Sequence, residues 1–569
     1  MPIYEEFTGR GRDGYASYED LYENYRLSYP DSFNFAYDVL DRLGREKPDK
    51  PAMVWVGNDG GERRFTFREM ADASGRTANF LKSLGIKKGD YVLLVLKRSY
   101  NFWFAMMGLC KIGAIPIPAT HMLTAKDYIY RCNAGGVKAA IITGDGDCAE
   151  RFDEALPECP TVELKLTTNG GAERLGGGWI DFDGGSAAAA SVFPRLAGDE
   201  DTAAADIMLM MFSSGTTGYP KMVAQDYTYA LGHLMTGVFW HRCADGGLHF
   251  TISDTGWGKS LWGKLYGQWL AESAVFVYDF DKFDGANILR VIEKYKITTF
   301  CCPPTMYRMI LASGPEKYDL SSLTHCTSAG EALNPDTFIK WKELTGLEIH
   351  EGFGQTETTL CCSILYPYTK PAIGSMGRAT PGYRLYVADE DGSESTAGAT
   401  GEVVIRAGRA DKPAGLFSLY NRNPEGTNAQ WHDGVYHTGD TAYADENGYI
   451  WYVGRNDDMI KSSGYRIGPF EVESVLVEHP AVKEAAVTGY PDKKRGQLVK
   501  ATIVLNAGYE PSGELVKELQ TFVKRSTAPY KYPRVIEFAD ELPKTISSKL
   551  MRSLIKKRDL EKYESESGE

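Results

Sequence analysis

Apolar positions at Phe67, Met70, Ala73, Phe80, Leu81 and Leu84, with Thr77 among them, recur at helical spacing. They predict a helix over 65–84 that Gly85 ends. Lys88-Gly-Asp90 then turns the chain into a continuous apolar run over 91–96, which predicts a buried strand. The pattern over 101–111 predicts a helix, 139–142 a strand and 207–212 another buried strand. Strand and helix keep alternating, which implies layers of parallel α/β structure. The Gly/Ala-rich stretch 170–191 reads as a surface loop or insertion, and the acidic stretch 389–400 as a hairpin tip or subdomain join.

The character changes after Gly454-Arg-Asn-Asp457. Pro469 opens a helix through Phe470, Val472, Val475 and Leu476 that ends before Pro480. Strands over 485–487 and 499–505, a helix near 515–524 and a strand over 535–538 follow. The expected fold is therefore a large N-terminal α/β domain, 1–456, and a small α+β domain, 457–569, whose last residues from Lys556 form a charged, solvated tail.

With 569 residues, 43% of them hydrophobic, the chain can bury several domain cores. A net charge of −13 argues against nucleic acid as a main partner. The ten cysteines form no C-x-x-C pair and no zinc-like spacing, and with an N-terminus lacking a basic and apolar leader they suggest reduced thiols in a cytoplasmic protein. The longest apolar stretches fall short of the ~20 residues of a membrane span. Oligomeric state is left open, with a homo-oligomer allowed.

The most informative local feature is Ser213-Ser-Gly-Thr-Thr-Gly-Tyr-Pro-Lys221. Short hydroxyls at Ser213, Ser214, Thr216 and Thr217, bare backbone at Gly215 and Gly218, and the cation of Lys221 can wrap phosphate oxygens. The loop follows a strand, where nucleotides often bind in α/β folds, yet it lacks the Walker A spacing. Read alone, it is equally a polar turn.

This loop resembles the phosphate loop of the acyl-adenylate-forming superfamily, and further motifs follow in the same order from about residue 65 to residue 550. Gly352-Phe-Gly-Gln-Thr-Glu357 is similar to the second nucleotide motif: Thr356 is expected at the α-phosphate and Glu357 on Mg²⁺, with Gly352, Phe353 and Gln355 around the nucleotide. Ala329-Gly-Glu-Ala-Leu333 resembles the segment along the adenine, with Gly330, Glu331 and Ala332 there. His437-Thr-Gly-Asp440 resembles the ribose motif, in which Asp440 and Arg455 hold the sugar. Asp457 matches the hinge about which the small domain turns between half-reactions. In Lys461-Ser-Ser-Gly-Tyr-Arg-Ile-Gly468, Gly464 is expected beside the pantetheine channel and Arg466 at the nucleotide phosphates. Pro543-Lys-Thr-Ile-Ser-Ser-Lys549 resembles the terminal motif whose lysine, Lys549, bridges the carboxylate and the α-phosphate. Here Ser548 stands where the family usually has Gly.

Ser253-Asp-Thr-Gly-Trp257 and Ala528-Pro-Tyr-Lys-Tyr-Pro533 resemble the medium-chain acyl-CoA synthetase branch. The resemblance implies layered α/β subdomains with a barrel-like subdomain, ATP and Mg²⁺, and CoA as acceptor. It implies an AMP-forming acid–thiol ligase; a ligase that loads a carrier protein or amine, and an inactive nucleotide-binding relative, are the alternatives. Gly354 stands where acetate-selective relatives carry Trp, so with Trp257 shaping the other side it is expected to admit a medium-length, branched or aromatic acid.

Overall fold

A computed structural model describes residues 1–213, 220–463, 465–545 and 550–567, the side chains of Arg466, Glu566 and Ser567 excepted. Two compact units emerge. One comprises 1–213, 220–385 and 406–434; the other comprises 386–405 and 435–569.

The first unit is built on two sheets with helices between them. In the larger, six strands run parallel in the order Ile349–Phe353, His325–Ala329, Thr299–Cys301, Leu248–Thr251, Ala274–Tyr278 and Pro51–Val56, with short antiparallel strands at each edge. The smaller sheet is wholly parallel, in the order Ile115–Pro118, Tyr91–Val95, Ala139–Ile142, Leu164–Thr167 and Ile180–Asp181. Central strands such as Tyr91–Val95 and Ala139–Ile142 are buried along almost their whole length, as expected for parallel strands covered on both faces. The helix Phe67–Ser83 starts on a capping box between Thr66 and Glu69. It packs against the almost wholly buried helix Asn101–Ile112, which Gly113 stops in a left-handed conformation.

A third, antiparallel sheet carries the phosphate-loop motif. Strand Ile207–Ser213 pairs with Lys221–Asp226 so that Ser213 faces Lys221, and Leu419–Tyr420 adds to the outer side. The phosphate-loop motif thus begins at the end of one strand, as expected, and its last residue opens the antiparallel partner.

The second unit pairs strand Val435–Ala444 with Ile450–Arg455. Its largest core forms where the long hairpin Val482–Asp492/Gly496–Leu505 packs on helices Pro469–Glu478 and Gly513–Ser526. Its apolar face, with Val472, Leu476, Val487, Ile503, Leu519 and Val523, is fully buried. The boundary expected at 456/457 falls within this unit.

Two local expectations are corrected. The stretch 170–191 is not a loop: helix Gly171–Leu175, strand Ile180–Asp181 and helix Phe182–Ala188 form because Trp179 and Phe182 reach the core and Asp181 caps the second helix. The charged terminus is not a solvated tail: Arg552–Ser567 is a helix, held by buried Ile555 and by Asp559 in contact with the buried Lys500 ammonium.

The π-helical stretch Met235–Trp240 and helix Tyr266–Leu270 touch through two glycines. A β-carbon on Gly237 would lie 2.2 Å from the carbonyl carbon of Gly267. Gly237→Ala is therefore expected to destabilise the protein by about 1–3 kcal/mol, the usual cost of overpacking. An unchanged urea midpoint would contradict this close approach.

Candidate active site

The strand Ile349–Phe353 delivers the second nucleotide motif. Its two glycines make room for indoles: a β-carbon on Gly352 would lie 2.7 Å from the Trp240 ring, and one on Gly354 2.4 Å from Trp262 Cη2. Trp240 also donates its indole N–H to the carbonyls of His350 and Glu351, at 3.2 and 3.1 Å. Past the strand, the Gln355 N–H donates to Thr358 Oγ1 (2.8 Å) and Thr356 O accepts from Gln225 Nε2 (3.0 Å).

Glu357 then turns toward the hairpin. Its Oε1 accepts from the Tyr420 hydroxyl at 2.8 Å and lies 3.5 Å from Ser213 Oγ. Its carbonyl accepts from the Phe417 N–H at 2.7 Å. Lys221 Nζ sits 4.8 Å from the Tyr420 ring centre, a cation–π distance. Ser213, Lys221, Tyr420 and Glu357 thus gather where the phosphate loop begins and ends. Ser214, Gly215, Thr216, Thr217 and Gly218 lie outside the described residues. Glu357 fits Mg²⁺: a single oriented carboxylate among hydroxyls is the hard-oxygen donor set that this ion takes alongside substrate phosphates.

The adenine segment follows strand His325–Ala329. Gly330 has φ +102° with nothing within 4 Å of a β-carbon position, so its face is open to a flat ring. Glu331 is exposed and accepts from Thr305 Oγ1 at 2.8 Å; Ala332 is half-buried. Two contacts fix this segment. Lys259 Nζ donates to Ala329 O at 2.6 Å, and the Leu333 N–H donates to Glu351 Oε1 at 2.9 Å. Burial pushes the Glu351 carboxyl up to about 8, so it stays protonated at neutral pH.

Trp257 is half-buried and precedes helix Gly258–Gly263, which carries both Lys259 and Trp262. The turn before it is tied down by Asp254, which bonds His121 Nδ1 (2.9 Å) and the Gly256 N–H (2.9 Å). Burial alone would raise the Asp254 pKa, but the His121 hydrogen bond and the Arg98 charge outweigh it and hold it low. Burial, with Arg98 nearby, depresses Lys264 to about 7 while it donates to Ser253 O at 2.7 Å. The space beside Gly354 is filled by the Trp262 ring, so the wall at this point comes from a residue that sequence reasoning did not name.

In the second unit, Asp440 and Arg455 are cross-strand partners, with Arg455 Nη1 3.3 Å from Asp440 Oδ2 and the Tyr452 hydroxyl 3.4 Å from Oδ1. Gly439, at φ +71°, lets the Arg455 guanidinium come within 2.9 Å of where a side chain would start. Asp457 lies 3.7 Å from Arg455 Nε, and its carbonyl accepts from Lys556 Nζ at 2.8 Å. Gly464, Lys549, Ser548 and the side chain of Arg466 lie outside the described residues. The flanks of the terminal motif are held by the Lys544–Leu550 bridge, the Met551 N–H to Pro543 O bond (2.9 Å) and the Lys544–Glu484 ion pair (2.7 Å).

The chain matches the AMP-binding enzyme family over residues 40–410 and the AMP-binding enzyme C-terminal domain over 471–549, and it belongs to that family. It is 39% identical to the mitochondrial acyl-coenzyme A synthetase ACSM3 of Pongo abelii, covering 96% of this chain and 93% of the relative. It is 40% identical to the mitochondrial ACSM5 of Mus musculus, over 94% and 92% of the two chains. Among solved structures it is similar to the anthranilate CoA ligase AuaEII in complex with anthranoyl-AMP, with a TM-score of 0.83, 29% identity, and 93% and 98% of the chains covered. The expected cytoplasmic location is overturned, because these curated relatives are named mitochondrial; reduced cysteines do not distinguish the two compartments. All ten cysteines are free and buried, and among the described residues no helix is long and apolar enough to cross a membrane.

Glu351 yields a pH prediction. Its pKa rises from 4.5 unfolded to about 8 folded, so the unfolded chain releases this proton first and stability is lost as pH climbs through that window. Glu351→Gln keeps the acceptor for the Leu333 N–H and cannot titrate. Its melting temperature relative to wild type is expected to increase from pH 5.5 to pH 8.5; a difference constant with pH would contradict the buried neutral carboxyl.

Proposed function

We propose that this AMP-forming acyl-CoA synthetase activates a medium-length, branched or aromatic carboxylic acid with ATP and passes the acyl group to CoA. The observation that carries the reading is the convergence of Ser213, Lys221, Tyr420 and Glu357 at the phosphate loop, with Gly330 and Thr356 on adjoining strand ends. The relative with bound anthranoyl-AMP supports an aromatic acid as one option. Trp262 beside Gly354 supports a flat or narrow chain over a bulky one at that point.

In the first half-reaction the substrate carboxylate attacks the α-phosphate in line and pyrophosphate leaves. Thr356 and Lys549 stabilise the charge that develops there, and Glu357 would hold Mg²⁺, which would supply further neutralisation of the phosphates. Asp440 and Arg455 hold the ribose. In the second, residues 457–569 turn about Asp457, bring Gly464 beside the pantetheine arm, and the thiolate displaces AMP. Arg466 assists the nucleotide phosphates. No side-chain nucleophile is needed, because AMP is already a good leaving group.

AMP release with and without CoA, across acetate, butyrate, 2-methylbutyrate, hexanoate, octanoate and benzoate, tests the reading. CoA-dependent release with a larger acid, at a kcat/KM above that for acetate, is expected. Selectivity among the larger acids should be modest, since one methylene discriminates by only about 1–3 kcal/mol. Release that ignores CoA would point to a carrier-protein or amine acceptor. Lys549→Ala is expected to abolish adenylation while sparing thioester formation from supplied acyl-AMP; equal loss of both would refute its role.

A further inference from the structure

Gln225, Tyr229 and His233 follow at four-residue steps from the end of strand Lys221–Asp226 along helix Thr228–Leu234. All three are fully buried. Gln225 Oε1 and His233 Nε2 have no hydrogen-bond partner among the described residues, and the Tyr229 hydroxyl meets the Trp262 indole, a donor, so its own proton is left unpaired.

The rest of each side chain is well placed. Gln225 Nε2 donates to Thr356 O, and His233 Nδ1 lies 3.2 Å from Thr236 Oγ1. The Tyr229 and His233 rings meet edge to face at 4.6 Å, and His233 stands 6.2 Å from Trp262, the ring that covers Gly354. The three side chains therefore lie next to Thr356 and to the Trp262 ring that covers Gly354. Buried polar groups are costly unless paired, and three in one neighbourhood point to a ligand group that pairs with them.

Their charge state restricts that ligand. Burial holds the His233 imidazole down at about 3, so it is neutral. Burial pushes the Tyr229 phenol up, outweighing the opposing hydrogen bond from the Trp262 indole, so it keeps its proton. The Gln225 amide carries no charge. A carboxylate or ammonium group would be desolvated here without a counter-charge from these residues.

We propose that Gln225, Tyr229 and His233 recognise a neutral hydrogen-bonding substituent, a hydroxyl or an amino group, on the acyl part of the acid. This deepens the synthetase reading and rests on it. A site built to bond a substrate hydroxyl rejects the analogue lacking it far more strongly than an apolar pocket rejects a missing methylene, because its own polar groups are then left unpaired.

The test compares kcat/KM for CoA-dependent AMP release between benzoate and its 2-, 3- and 4-hydroxy and amino derivatives, and between octanoate and hydroxyoctanoates. At least one substituted acid is expected to exceed its parent about ten-fold or more, and Tyr229→Phe to lower that ratio about ten-fold. Calorimetric binding of the same acids to the wild-type chain reads the preference without any variant. Parents that match or beat every substituted acid would overturn the inference and leave the synthetase reading standing. So would a Tyr229→Phe variant with an unaltered ratio, the mark of a hydroxyl that serves only the Trp262 indole or buried water. No turnover with any acid would remove both.

Discussion

The site depends on how closely the strand Ile349–Phe353 approaches its neighbours. Gly352 and Gly354 have no side chains, and the indoles of Trp240 and Trp262 occupy the space those would take. Trp240 also bonds to two carbonyls of the same strand. Interior packing at this density leaves little room for the strand to shift. The strand end therefore places Thr356 and Glu357 reproducibly, and Tyr420 and Phe417 complete the grip on Glu357. The parallel neighbour His325–Ala329 ends in the open face of Gly330, so a bare backbone surface on one strand lies beside a carboxylate on the next.

Most regular structure was legible in the sequence, because the helices 67–83 and 101–112 and the strands around 91–95 and 139–142 carry strong periodic or continuous apolar patterns. The two misread segments, 170–191 and the C-terminal helix, are poor in periodic apolar residues. Each is held by one or two anchors, Trp179 with Phe182 and Ile555 with Asp559, whose partners are distant in sequence. The nucleotide motifs were legible as a resemblance because glycines and short hydroxyls cluster locally. Tyr420, Trp262, Gln225 and Lys259 were not: each acts across a long sequence separation, and nothing adjacent to them marks the contact.

Gly354 shows why a single position is a weak guide to pocket shape. Its small size reads as space when only the sequence is in view. In the fold that space holds the Trp262 ring, delivered by a helix far earlier in the chain. Around that ring stand neutral polar side chains of the segment from Gln225 to His233, so its surroundings rather than Gly354 alone set the shape there.

Activation of the acid as an acyl-adenylate before it meets CoA leaves an isotopic record. Turnover of an acid labelled with ¹⁸O in both carboxylate oxygens, in the presence of ATP and CoA, tests this directly by mass spectrometry of the nucleotide product. In-line attack by the carboxylate predicts AMP carrying one ¹⁸O, retained when the thiolate breaks the acyl–oxygen bond. Unlabelled AMP, or label appearing in inorganic phosphate with ADP as the nucleotide product, would contradict it.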